Sequence, residues 1–171
     1  MVHSNTAILD PRNVSYLKVR LKGISLGGLD LASDRQKVQG DVVEIIRESG
    51  ELLARGYELP WRDKTGALAT YLQADVSVQS DHPQIREAAR EAAGSARDAA
   101  AVAARLNRWV AEEVKDSMVM SIPSALEVLQ KKRGACKEHA VLYTALARAL
   151  GIPARIASGI VYSEAQLIDG F

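Results

Sequence analysis

From Pro83 onward the apolar residues fall at intervals of three and four. Ile85, Ala88, Ala89 and Ala92 form one stripe before Gly94 interrupts it, and Ala99, Val102, Leu106, Trp109, Val110 and Val114 form a longer one. This period stacks side chains on one helix face, so it predicts two amphipathic helices sharing a core. Pro83 suits a first helical turn, with Ser80 and Asp81 as capping oxygens, and Ser95 to Asp98 resembles a second capped start. The alanine run Ala99 to Ala104 predicts close helix packing. Ser124-Ala125-Leu126-Glu127 has capping-box spacing and predicts a short third helix. A fourth follows Gly134: Val141 to Leu150 repeats apolar positions at helical spacing until Gly151-Ile152-Pro153 stops it.

The N-terminal part has a different period. Val14 to Lys22 alternates apolar with polar residues, as a half-buried strand should, and Asp41 to Arg47 is a second strand candidate. Gly27-Gly28 and Asp34 mark turns between them. Leu59 to Gly66 reads as a loop in which Trp61 serves better as an anchor than as a binding surface. Thr70 to Val78 reads as an extended lead into the helices, and Ala154 to Tyr162 as a strand after them. The fold class expected is α+β, with a β-rich region at residues 1–79 and a mainly helical one at 80–171. No internal repeat is evident.

Composition narrows the function classes. The 171 residues are 47% hydrophobic and 25% charged, enough for one core or a core with a small appended subdomain. Twenty-two basic against 21 acidic residues leave a net charge of +1, and aromatic residues make up 5%. That gives neither the electrostatic footprint nor the stacking platforms of a nucleic-acid binder. Lys131-Lys132-Arg133 is a short basic run better suited to a solvated helix end. No stretch approaches a membrane span, and Met1 to Thr6 lacks the basic start and apolar run of a secretory signal. The chain as given is therefore expected to be soluble and cytoplasmic.

The chemistry concentrates at one place. Cys136 is the single cysteine, in Gly134-Ala135-Cys136-Lys137-Glu138-His139, where a glycine turn opens into the fourth helix. A thiol in a first helical turn meets unpaired backbone N–H groups and the positive end of the macrodipole, both of which favour the thiolate. Lys132, Arg133 and Lys137 add positive charge nearby. A lone cysteine is also commonly a small core hydrophobe, so local chemistry leaves both roles open. His139 shares a helix face with Cys136 and is the candidate surrogate base by distance, although side chains lean toward the helix N-terminus, which makes its geometry unpersuasive. The alternative is a partly exposed histidine near the turn. Glu138 and Lys137 read as a solvated helix face. One cysteine and three scattered histidines, His3, His82 and His139, lack metal-ligand spacing, and nothing in the sequence requires a cofactor.

The stretch from Ser124 to Tyr162 resembles the bacterial transglutaminase-like superfamily, which includes cysteine proteases and acyltransferases. The resemblance rests on the Gly134-x-Cys136 turn, the following helix rich in alanine, leucine and arginine, the Gly151-Ile152-Pro153-Ala154-Arg155 exit, and the glycine-containing segment after it. It implies that Cys136 stands at the family's nucleophile position. It also implies the helical half of a papain-like, transglutaminase-like core, with Ala154 to Tyr162 as the first strand of its sheet. The family's catalytic histidine and aspartate are expected beyond Phe171, so the chain reads as the front of a longer enzyme, weak or inactive as given.

Three functional readings follow. One is a fragment of an enzyme that performs acyl transfer or peptide and amide hydrolysis through Cys136. A second is a minimal hydrolase of activated esters or related electrophiles, with or without His139. A third is a non-catalytic scaffold or interaction module. The expected partners are a peptide, amide or ester substrate and a second copy of the chain, since an unpaired edge at Ala154 to Tyr162 would favour a homodimer or higher oligomer. Many members of the family are exported or belong to envelope proteins, which leaves the location of a longer parent open.

Overall fold

In the computed structural model the described residues are 7–53, 56–63, 65–117 and 124–160. Contacts divide the chain into two compact units, one of residues up to 53 together with the chain from Ser158 onward, the other spanning 54–157. The contact division falls at residue 53, whereas the composition changes at residue 80.

The first unit holds a three-stranded antiparallel sheet of β1 (Tyr16–Arg20), β2 (Gln36–Gln39) and β3 (Val42–Ile46), in the order β1-β3-β2. Tyr16 stands opposite Ile46 and Arg20 opposite Val42, so β1 and β3, which lie inside the expected strands Val14 to Lys22 and Asp41 to Arg47, pair with each other. β2 was not expected. Its Gln36-Lys37-Val38-Gln39 carries a single apolar side chain, as an edge strand tolerates, and Gly40 at φ +60° turns it into β3. A four-residue helical turn, α1 (Gly50–Leu53), follows.

The second unit packs α2 (Pro83–Ala93), α3 (Ala99–Glu113), α4 (Ala125–Lys131) and α5 (Cys136–Ala149), with a two-residue parallel pair, β4 (Lys115–Asp116) and β5 (Arg133–Gly134). α5 lies against α2, α3 and α4. Ile85, Leu106, Leu142 and Leu146 are wholly buried between them. Each such side chain contributes about 1.5–3 kcal/mol relative to exposure. Alanines facing this core, Ala88, Ala89, Ala145 and Ala147, let the axes approach closely. In the alanine run of α3, by contrast, Ala101 and Ala104 are exposed, and there alanine serves helix propensity.

The caps differ in part from expectation. His82, not Ser80 or Asp81, caps α2, its Nδ1 accepting from Gln84 N–H at 3.3 Å. Asp98 caps α3 by accepting from the N–H groups of Ala100 and Ala101. Ser124 accepts from Glu127 N–H at 3.3 Å, while the Glu127 carboxylate pairs with Lys131 one turn on instead of returning to the cap.

The loop before the helices belongs to the helical unit. Ala99 N–H donates to Tyr57 O at 2.8 Å, Leu59 N–H to Arg97 O at 3.1 Å, and Trp61 N–H to Gly151 O at 3.0 Å. Trp61 also meets Tyr57 edge to face, with ring centroids 5.0 Å apart, which fits an anchoring role. Residues Ala69–Leu72 form a 3₁₀ turn where an extended lead was expected. Tyr71 O accepts from Ala154 N–H, and Arg148 donates to Ala154 O, Gln73 O and the Asp75 carboxylate. Those bonds draw the lead into a turn around the end of α5.

The expected strand after α5 is also different. Residues 154–160 form no ladder, because no partner strand lies beside them among the described residues, and Val161 and Tyr162 lie outside those residues. The sheet edge expected to recruit a second copy is therefore not formed by residues 154–160. No helix among the described residues is long and apolar enough to cross a membrane.

Arg148 gives the helical unit an acid-sensitive contact. Burial works against ionising Asp75. The N–H groups of Val78 and Ser77 and the Arg148 guanidinium outweigh it and hold the carboxyl below its ordinary 3.8. A carboxyl lowered by folding adds stability above its unfolded value and loses it as pH falls through the folded one. The stability gap between wild type and Asp75→Asn, read from thermal melts, should be constant from pH 7 to about 5 and close below 3.8.

Candidate active site

The turn that delivers Cys136 is fixed on both sides. α4 ends at Lys132, a non-glycine residue in the left-handed region at φ +50°, which reverses the chain into β5. β5 then lies parallel to β4, with Lys115 N–H donating to Lys132 O and Ser117 N–H to Gly134 O, each at 3.0 Å. Gly134 is required by close approach: a Cβ there would lie 2.2 Å from Glu138 Cβ. The next helical turn therefore folds directly over the glycine.

Cys136 is the first residue of α5, and its thiol is free and exposed. Ala135 occupies the cap position and has no side-chain oxygen to offer the first turn. Among the described residues, no acceptor faces the N–H of Cys136, Lys137 or Glu138. The fourteen-residue helix thus presents an uncapped positive end beside the thiol. Of the three cations expected nearby, Arg133 and Lys137 have no ion pair among the described residues, while Lys132 has one. Lys132 is paired with Glu113, whose hydrogen bond raises the lysine above its usual value, and Lys131 with Glu127. Lys137 is exposed, as expected of a solvated face.

Glu138 is not on that solvated face. It is 2% exposed, and its Oε2 accepts from Ala135 N–H at 2.8 Å, the returning half of a capping box. Its Oε1 is buried with no partner among the described residues. The signal was present in the sequence: glutamate three residues beyond a cap, four residues after a glycine that leaves it room.

His139 packs under the turn. Its Nδ1 lies 2.8 Å from Ala135 O and its Nε2 3.0 Å from Val114 O. No hydrogen bond joins it to Cys136. Of the other histidines, His82 caps α2, and His3 lies outside the described residues. No hydrogen bond or ion pair links the Cys136 side chain to another described residue. Among these residues, no three His, Cys, Asp or Glu side chains gather as a metal site.

One turn beyond Cys136, an open groove of about 310 Å³ runs between α3 and α5, walled by Val110, His139, Ala140, Tyr143 and Arg155 among others. Cys136 is not part of its wall. Burial raises the Tyr143 phenol, which donates to Ala103 O at 3.4 Å.

The site is an exposed thiol at the start of a buried helix, delivered by a glycine turn on an α+β scaffold. Residues 86–170 match the sequence profile of the transglutaminase-like superfamily, and this half of the chain belongs to that superfamily. A crystal structure from Cytophaga hutchinsonii, named a putative cysteine protease, superposes with a TM-score of 0.54 at 22% identity. The alignment covers 67% of this chain and 39% of that one, so the chain spans about two fifths of its length. At this identity the likeness is one of fold. No curated protein matches the chain.

Gly134→Ala should move the helix start, because the new methyl group cannot share space with Glu138 Cβ. Overpacking of this kind costs about 1–3 kcal/mol. Thermal melts should show that loss together with a changed rate of Cys136 alkylation; an unaltered melt and rate would mean that the turn tolerates a side chain.

Proposed function

We propose that Cys136 is the nucleophile of a thiol-dependent enzyme acting on carbonyl substrates: peptides, amides or esters. The observation that carries this reading is the exposed thiol at the first position of α5, beside backbone N–H groups that have no acceptor among the described residues. Membership of the superfamily supports it. In the reaction the Cys136 thiolate attacks the carbonyl carbon, an S–C bond forms, and the carbonyl π electrons move onto oxygen. The Cys136 N–H, at the positive helix end, faces that oxyanion. Collapse expels the leaving group with its bonding electrons and leaves a thioester. Water then yields the acid, or an amine yields a new amide, and the thiol is regenerated.

The leaving group decides what these residues can do unaided. An amine departs poorly without a proton, and a positioned acid or base contributes about 100- to 10,000-fold. An activated ester loses a stable anion that needs none. The described residues hold no acid or base bonded to Cys136, so activated esters are the favoured substrates of these residues alone. A longer parent that supplies a histidine would extend the chemistry to amides.

Incubation with p-nitrophenyl acetate, followed by intact mass, should add one acetyl group to the wild type several-fold faster than to a model thiol. Cys136→Ala should gain none and show no p-nitrophenolate release above background. Equal release by both proteins would remove the thiol mechanism.

A further inference from the structure

Resting on the assignment of Cys136, we propose that His139 is a positioning residue: it fixes the Ala135–Cys136 peptide so that Cys136 N–H serves as the oxyanion donor. Ala135 C=O and Cys136 N–H are the two ends of one planar, trans unit, so holding the oxygen in place sets the direction of the hydrogen. Two contacts hold it, and a third braces the imidazole. His139 Nδ1 approaches Ala135 O at 2.8 Å, His139 backbone N–H donates to the same oxygen at 3.1 Å, and the far ring nitrogen reaches Val114 O at 3.0 Å.

Val114 is a firm base for this strut. It is 3% exposed and terminates α3, its N–H donating to Val110 O. Three residues later, Ser117 N–H holds Gly134 O. The end of α3 therefore grips the nucleophile turn twice, once through β4 and once through the imidazole. The peptide before Ala135 is held independently, since Glu138 Oε2 accepts from its N–H. Both peptides flanking Ala135 are thus pinned by side chains from the next helical turn, and the Cys136 N–H they aim has no acceptor among the described residues.

The same contacts argue against His139 as the base. A base must turn a lone pair toward the thiol. A neutral imidazole has one N–H and one lone pair, and the cation has two N–H groups. Here both nitrogens face backbone carbonyls, so neither form leaves a lone pair free for Cys136.

Two reactions of the same sulfur separate the roles. Displacement of iodide from iodoacetamide forms an S–CH₂ bond without any oxyanion. Acetylation by p-nitrophenyl acetate forms an S–C(=O) bond through a tetrahedral oxyanion, and p-nitrophenolate leaves with the electron pair. For His139→Ala, acetylation should fall about 10- to 100-fold, in line with losing alignment of one oxyanion donor. Alkylation should stay within about 2-fold, because thiolate formation does not depend on that alignment. His139→Asn, whose amide can replace the Nδ1 donor, should recover acetylation to within about 3-fold of wild type. His139→Gln, which imitates the Nε2 donor, should not.

A parallel fall in both reactions, or failure of His139→Asn to recover acetylation along with loss of a titrating limb from its pH profile, would make His139 a base and overturn the proposal. So would unchanged rates in His139→Ala. If His139→Ala does not fold, the Asn and Gln variants carry the comparison. Acetylation is read as a single event by intact mass and needs no turnover. Absence of wild-type turnover with a selective acetylation loss in His139→Ala would strike the enzyme reading alone. Normal turnover with no such loss would strike the role of His139 alone.

Discussion

Burial of α5 on three sides is the constraint from which the site follows. Leu142, Ala145 and Leu146 have no exposed surface, and the helix cannot slide or rotate without opening the core it shares with α2, α3 and α4. A helix held this firmly presents its first turn at a fixed place and angle. The opposite end is secured by different means: Arg148 gathers Ala154, Gln73 and Asp75, and Gly151, at φ +81°, turns the chain under Pro60. Packing thus locates Cys136, and polar contacts lock the exit.

What packing cannot do is satisfy the helix's first turn. With alanine at the cap, the usual side-chain oxygen is missing, and three N–H groups have no acceptor among the described residues. A serine or aspartate there would typically stabilise the helix by about 1 kcal/mol. It would also place an acceptor among the groups needed for the thiolate and the oxyanion. Glu138 provides a compromise, because it caps from inside, taking the N–H of Ala135 and leaving that of Cys136 free. The turn is secured from below while its upper face stays open to substrate.

Much of this was legible in the chain. Periods of three and four gave α2, α3 and α5 within a residue or two, because a single buried face dictates residue type there; alternation gave β1, and β3 lies inside the second strand candidate. The Gly134-Ala135-Cys136 turn was legible because a glycine before a helix with an apolar stripe has few other uses. β2 escaped notice because an edge strand needs no apolar pattern. Glu138 was assigned to solvent because charge normally signals exposure, and only the space left by Gly134 reverses that. His139 was legible as a neighbour of Cys136 but not in its role, since its second partner, Val114 O, lies 25 residues away in sequence. The segment 154–160 looked like a strand because its residue types suit one, yet strands exist only in pairs.

The arrangement carries an electrostatic tension that bears on what the site can accept. A buried carboxylate and a thiolate are both anions, and both are drawn to the same helix terminus. Oε1 of Glu138 is buried close to the turn with no partner among the described residues. Two features limit the conflict. The Glu138 carboxylate spends one oxygen on Ala135 N–H, which ties it to the preceding peptide rather than to the peptide that carries the Cys136 donor. The thiol itself is exposed, so water screens the repulsion between them. A substrate that covered the thiol would remove that screening. On the proposed role of Cys136, an anionic substrate would add a further negative charge where that screening is lost, so a neutral carbonyl substrate would suit this end of α5 better, and the oxyanion would be stabilised best by a donor aligned before the substrate arrives.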